Sequence, residues 1–428
     1  MNKLNTIISF LVSLFILAFT SCNDKETGLI RLESDQNDNT AVKIEAESFN
    51  NSNTDIEIIE DLGTTYISAK SAGWISLDFN MAIAGRYQTQ IKVSSNTNEE
   101  VICWVEDYYD NTAERICNIS GDLKVNDTSS GLRLISKDGC PLNEGLHKMK
   151  LHFNGPVHID WVKFVLLKEY QKTPLVMVQK TEGEYWEKVW SDEFEGSSID
   201  LSKWSFDVGD WGWGNGENQY YTDNKTENAR LEEGKLVIEA IREGNIDEWS
   251  SARITTREKV SFLYGKIEIR AMLPPGKGNW AAGWTLGDEY IDELSWPYCG
   301  EIDIFQSVGY EMNDETGKGI AHASAQNAAY YFKLGNQPTN TVEVKNMSQK
   351  FHTYSVEWTP VDIKFYVDDL LYLTYDDNQS SLSWPFAKPQ NIVLNLAVGG
   401  GWGGYYGIDE NIKSQKMIVD YVRVFEKR

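Results

Sequence analysis

Positive charge is what this chain has least of for its size. Forty Lys and Arg stand against 64 Asp and Glu in 428 residues, a formal net charge of −24. A surface of that sign excludes a nucleic-acid backbone or an anionic membrane surface as the expected partner, and says little more, because solvated acidic surfaces are ordinary. Cysteine is scarce as well: Cys22, Cys103, Cys117, Cys140 and Cys299 are the five, at spacings that match no zinc pattern. A sustained helical period is absent, and no long flexible run divides the interior of the chain. Apolar and polar residues alternate in short stretches instead, such as Ile75-Ser76-Leu77-Asp78-Phe79 and residues 235–240, 266–270, 353–358 and 362–367. That is the pattern of an all-β chain, and 428 residues make two domains the natural expectation.

One more absence carries chemistry. In Gly300-Glu301-Ile302-Asp303-Ile304-Phe305-Gln306 two carboxylates stand at strand spacing, and an amide follows where a third acid is expected. Alternate side chains of a strand share a face, so Glu301 and Asp303 point the same way and Phe305 would be next. Only an extra residue, a β-bulge, turns Gln306 toward the two acids. Cleavage of a glycosidic bond with retention needs a nucleophilic carboxylate and a carboxylic acid about 5–5.5 Å apart, one on each side of the bond. Gln306 can accept or donate a hydrogen bond but has no proton to give up. The 15 Trp and 21 Tyr fit a sugar ligand, whose apolar C–H faces stack on aromatic rings, although core packing claims most such side chains.

The blocks around this stretch, Trp186–Phe194, Leu201–Trp204, Gly212–Glu217, Ser251–Arg257, Tyr264–Glu268 and Ala397–Gly404, resemble in order those of family 16 glycoside hydrolases, and within them the laminarinase-type endo-β-1,3-glucanases. The resemblance covers residues 185–428 and implies a jelly roll whose concave face is a glycan cleft. It implies Glu301 as nucleophile, Asp303 as its support, Gln306 at the acid/base position, and Asn215, Arg257, Trp280, Trp284 and His322 along the sugar subsites. It implies a β-glucan partner, with laminarin-type β-1,3-glucan ahead of mixed-linkage glucan, and no organic cofactor. The chain departs from the family at Gln306, where a Glu is usual, at Ala281-Ala282-Gly283, and at Glu258, where a Gly is common. The pairs Asp288-Glu289 and Asp292-Glu293 lie upstream in an expected loop. Three readings stay open: a slow or assisted hydrolase, a non-catalytic glycan-binding protein on the same scaffold, and an acid-to-amide substitution made to trap a complex, which the leader described next argues against.

Lys3 precedes an apolar run from Ile7 to Phe19, too short to span a bilayer comfortably and placed where a signal peptide sits. Ser21-Cys22 resembles a bacterial lipoprotein processing site, which makes 1–21 a leader and Cys22 the lipidated terminus. Asn23-Asp24-Lys25-Glu26 resembles the acidic export signal of Bacteroidetes surface lipoproteins, so the expected location is the cell surface or outer membrane. Ordinary secretion with a stray Cys is the alternative. Residues 22–41 are polar and form a tether.

Residues 42–168 show short strands and turns of a smaller β-sandwich. Their order resembles carbohydrate-binding modules of the family 6 and 35 type, which implies a structural Ca²⁺ on Glu45, Glu47 and Asp160, oxygen ligands that suit that ion. Trp74 and Trp161 are expected in the core, and Tyr108 and Tyr109, in an expected loop, as the stacking platform. Cys103 and Cys117 form either a cross-hairpin disulfide or two unpaired thiols. A linker, 169–184 with Pro174, leads to the jelly roll.

Overall fold

The computed structural model describes residues 41–97, 99–108, 116–125 and 131–428. The leader, Cys22, the tether up to residue 40 and Tyr109 lie outside the described residues. The rest belongs to one compact unit, and its helical segments among the described residues are three-residue 3₁₀ turns. The architecture is all-β, a jelly roll preceded by a smaller sandwich.

The N-terminal sandwich is two antiparallel six-stranded sheets. In one, Arg133–Leu142, Gly85–Ser94, Val157–Glu169, Thr64–Ala69 and Ile56–Asp61 lie side by side. In the other the order is Asn51–Ser52, Gly73–Met81, Gly145–Phe153, Val101–Tyr108 and Ile116–Asn118. Period-2 alternation sends Ile75, Leu77 and Phe79 inward to meet Ile91, Val162 and Phe164, with the Phe79 and Phe164 rings edge to face at 4.9 Å.

Trp74 falls on the other parity of its strand and Trp161 follows a register shift at Asp160, so both stand half-buried on outer faces, outside the core where they were expected. Lys150 lies 4.3 Å from the Trp74 ring and Lys43 lies 5.3 Å from the Trp161 ring. Tyr108 ends a strand rather than occupying a loop, and its hydroxyl donates to Glu106. Cys103, Cys117, Cys140 and Cys299 are all free and buried. Cys117 pairs with Asp107 in the ladder, and Cys103 pairs with Leu123, so the two thiols are not opposite each other.

The C-terminal half pairs a nine-stranded with a ten-stranded sheet. The nine-stranded sheet runs Val176–Val178, Ser261–Leu263, Gln390–Val398, Asn279–Gly287, Glu301–Val308, Gly319–Gln326 and Thr339–Val344, with Arg253–Thr255 also on the Gln390–Val398 strand. Between the sheets Ile254, Ile302, Ile304 and Phe305 pack with Ile267, Ile269, Tyr354 and Val422. Val176–Val178 lies inside the expected linker, yet it pairs in parallel with Ser261–Leu263 and belongs to the sheet.

The two halves meet along a polar seam. Arg86 of the sandwich donates to the Phe206 carbonyl and faces the Asp207 carboxylate at 3.5 Å. Lys168 and the Gln171 amide both bond Glu258. Cys117 lies 3.3 Å from the Glu293 carbonyl, and Leu294 packs against the sandwich core. Close backbone approach makes glycine necessary here: Gly139 at φ +96° and Gly209 at φ +134° lie against each other, and a Cβ on Gly139 would sit 2.2 Å from the Val208 oxygen.

Candidate active site

The cleft lies on the face of the nine-stranded sheet opposite the core, and its volume is about 730 Å³. Sheet register builds its floor in rows. Leu286, Glu301 and Gln326 are cross-strand neighbours, then Trp284, Asp303 and Ser324, then Ala282, Gln306 and His322. The last row continues through Asn395 to Arg253 on one side and through Thr341 on the other.

Gln306 joins the row because the strand is bulged. Gly283 pairs with Phe305 and Trp284 with Asp303, which leaves Ile304 without a partner. Ile304 and Phe305 are both wholly buried in the core, so two successive side chains point inward and the alternation resumes one residue late. Apolar burial on one side therefore gathers Glu301, Asp303 and Gln306 on the other.

These groups are held by hydrogen bonds. Trp296 Nε1 donates to Glu301 Oε2 at 3.0 Å, and Trp280 Nε1 donates to Gln306 Oε1 at 3.0 Å. Ser324 Oγ donates to Asp303 Oδ2 at 2.5 Å, and Gln326 Nε2 lies 3.4 Å from both Glu301 and Asp303. Burial, together with the Asp303 charge, lifts the Glu301 carboxyl well above the ordinary glutamate range. Burial pushes Asp303 up to about 6, although hydrogen bonds from Ser324, Gln306 and Gln326 pull it back. The pair titrates as one unit, two carboxyls that cannot both ionise freely in a desolvated site.

Asn215, Trp280, Trp284 and His322 all line the cleft with the three motif residues. Trp284 donates to Asn395 at 2.8 Å, and Asn215 donates to Glu217 at 3.0 Å. Arg257 does not line it. Its guanidinium lies 4.0 Å from the Tyr170 ring and donates to the Tyr290 carbonyl at 2.6 Å, in the seam with the sandwich. The residue of that block that does reach the cleft is Arg253, whose guanidinium lies 4.8 Å from both the Trp213 and the Trp284 rings and bonds Asp207. Alternation about buried Ile254 was the signal that points Arg253 outward, whereas Arg257 follows the strand's end.

Of the acids in the upstream loop, only Glu293 lines the cleft, bonded by the Tyr290 hydroxyl at 2.8 Å. Asp288 accepts from Ser261, Glu289 pairs with Lys388, and Asp292 accepts from the Ser295 amide. Glu217, Trp296 and Trp402 are further cleft residues not singled out from sequence; Trp402 lies in a glycine-rich block whose strand parity is unreadable.

Glu45, Glu47 and Asp160 lie near enough that the charges of Glu45 and Glu47 add to the burial that raises Asp160. The Lys43 ammonium takes Glu45 at 2.7 Å, Glu47 Oε2 is buried without a hydrogen-bond partner, and Asp160 is raised mainly by burial. Among the described residues no group of three His, Cys, Asp or Glu is placed to hold a metal ion.

Known proteins place this arrangement. The sequence model of glycosyl hydrolases family 16 matches residues 212–423. A beta-glucanase of Rhodothermus marinus is 43% identical over 250 residues, 56% of this chain and 85% of that protein. The crystal structure of the Rhodothermus marinus laminarinase superposes with a TM-score of 0.52 at 43% identity, covering 56% of this chain and 98% of that one. A mutant of SCLam, a non-specific endo-beta-1,3(4)-glucanase co-crystallised with a glucan oligosaccharide, superposes with a TM-score of 0.53 at 34% identity over 58% of this chain and 98% of that one. With the cleft, the paired carboxylates and relatives matched over most of their length, the chain belongs to family 16 of the glycosyl hydrolases.

Proposed function

We propose that this chain recognises a laminarin-type β-1,3-glucan in the cleft and that Glu301 is the nucleophile of a retaining cleavage in which Gln306 has lost the acid. The observation that carries it is the bulged strand, which aligns Glu301, Asp303 and Gln306 on one cleft face. In this reading Glu301 attacks the anomeric carbon while Trp296 orients one carboxylate oxygen, and Asp303 shares the pair's proton. Trp280 and Trp284 offer indole faces to pyranose rings, and Arg253 and Asn395 offer donors to hydroxyls. An amide cannot protonate the leaving oxygen, and general acid catalysis is worth about 10²–10⁴-fold.

The test is reducing-end release from laminarin by the native chain and by Gln306→Glu, with affinity electrophoresis on the same glucan. Both chains are expected to bind, and Gln306→Glu is expected to cleave at least as fast as the native chain. Failure of both chains to bind would sink the reading. The second reading, a glycan-binding protein without turnover, is favoured by Gln306 itself, and it predicts cleavage by Gln306→Glu alone.

The location belongs to the same proposal: a lipid on Cys22 tethers the protein to the bacterial surface. Metabolic labelling with palmitate should mark the native protein and not Cys22→Ala. The sandwich itself is proposed as a second glycan contact, since Trp74, Trp104 and Tyr108 share the outer face of one sheet.

A further inference from the structure

The cleft contains a titratable pair that the reading above leaves without a task. His322 stands directly across from Gln306 in the ladder between Glu301–Val308 and Gly319–Gln326, and both line the cleft. Directly opposed residues have Cβ atoms about 4.5–5.5 Å apart. The His322 Nε2 lies 2.5 Å from Glu311 Oε2, a carboxylate on the 3₁₀ turn Gly309–Glu311 just beyond the Gln306 strand. The Trp402 ring meets the imidazole edge to face at 4.8 Å. The groups around His322 are thus Gln306 and Thr341 from the flanking strands, Trp402 from the glycine-rich loop and Glu311 from the turn, and Glu311 is the charged one among them.

We propose that His322, held by Glu311, supplies the proton that Gln306 cannot, so that the acid/base of this cleft is an imidazole on the neighbouring strand. A carboxylate on one ring nitrogen orients the imidazole and sets which nitrogen faces it, the positioning a proton donor needs. The inference rests on the reading of Glu301 as nucleophile. In the first step a Glu301 oxygen bonds to the anomeric carbon, the glycosidic C–O bond breaks with its electron pair on the leaving oxygen, and the imidazolium gives that oxygen its proton. In the second, water attacks the anomeric carbon, the neutral imidazole takes the proton of the water, and the Glu301 carboxylate leaves.

Position decides against the other acids. Nucleophile and proton donor must stand on opposite sides of the scissile bond, and His322 shares the Gln306 end of the strand. Glu293 stands at the Glu301 end, where its charge raises the Glu301 carboxyl and its own carboxylate is bonded by Tyr290. Glu217 has its oxygens committed to Asn215, Gln219 and Tyr221.

The experiment uses the full chain, its His322→Gln and Gln306→Glu variants and the double variant, on laminarin and on an aryl β-laminaribioside whose phenolate needs no proton to leave. His322→Gln is expected to lower laminarin kcat by about 10²–10⁴-fold and to lower aryl release by less than tenfold. In the Gln306→Glu background the same substitution should cost less than tenfold, because a carboxylic acid then stands in the usual place. Equal losses on both substrates, equal losses in both backgrounds, or no loss at all would overturn the proposal. So would a native chain that binds laminarin without cleaving it while Gln306→Glu cleaves. Absence of both binding and turnover in every chain overturns the glucanase reading, and this inference with it.

Discussion

Glu301 and Asp303 are two acids on one buried face, and their coupling sets what Glu301, the proposed nucleophile, does with pH. A nucleophilic carboxylate works only when ionised, and both members of the pair are shifted upward from their ordinary 4.5 and 3.8. Protonation on acidification therefore arrives early. The acid limb of kcat/KM on an activated aryl glycoside should lie above pH 4.5, and a limb at or below that value would show that the pair is not desolvated in solution. Trp296 sharpens the test, because its N–H bonds the charged form of Glu301 and lowers the carboxyl's affinity for a proton. Trp296→Phe should move the acid limb upward and reduce kcat/KM by roughly 10–100-fold, the worth of a hydrogen bond to a charged group.

At the scale of the element, the bulge works because its neighbours leave it room. Gly283 faces Phe305, and a Cβ there would sit 2.4 Å from the Phe305 Cε1 and 2.9 Å from Ile269 Cδ1. Gly283→Ala should cost about 1–3 kcal/mol by overpacking and should lower turnover as well, since Phe305 anchors the turn of Gln306; urea unfolding and kcat measured together check both. In the sandwich, His147 has both ring nitrogens engaged, Nδ1 with Asp107 at 2.6 Å and Nε2 with the Asn143 carbonyl at 2.9 Å. Burial disfavours its charged form, but Asp107 and Asn143 outweigh this and raise it above 6.5. A raised histidine contributes stability that is complete below 6.5 and is lost as pH rises through the folded value. The urea midpoint should therefore decline on the alkaline side of neutrality, and His147→Gln should flatten that decline.

For the whole molecule, the seam ties the sandwich to the wall of the cleft. Arg86 faces Asp207, Asp207 holds Arg253, and Arg253 lies between Trp213 and Trp284. Tyr170 stacks beneath Arg257, which holds the Tyr290 carbonyl. Removing Arg86 leaves the half-buried Asp207 carboxylate to Arg253 alone, at a cost of about 1–3 kcal/mol. Arg86→Ala should lower the thermal midpoint and weaken laminarin binding from outside the cleft. Calorimetry of the native chain should show one cooperative transition; two separate transitions, with laminarin affinity untouched in Arg86→Ala, would mean that the halves are independent.

Strand periodicity alone was enough to place Ile75, Leu77 and Phe79 inside, and the five-residue reach from Glu301 to Gln306 was enough to demand a bulge, because period 2 allows no other way to turn both toward one face. The same local rule determined the all-β class, while the blocks along residues 185–428 carried the family resemblance. It failed where a residue's surroundings come from distant chain. Trp74 and Trp161 are large and apolar, yet parity puts Trp74 outside and a register shift at Asp160 turns Trp161 out, each against a lysine of a neighbouring strand. Arg257 sits four residues from Arg253, but Tyr170 of the sandwich end claims it, and no local pattern announces a partner 87 positions away. Three residues of the expected linker, Val176–Val178, form a strand through pairing with Ser261–Leu263, more than 80 positions away. The primary structure by itself determined which residue types line one strand face; only tertiary folding decided which neighbours stand beside them, and so brought His322 and Glu311 to the side of an amide that has no proton to give.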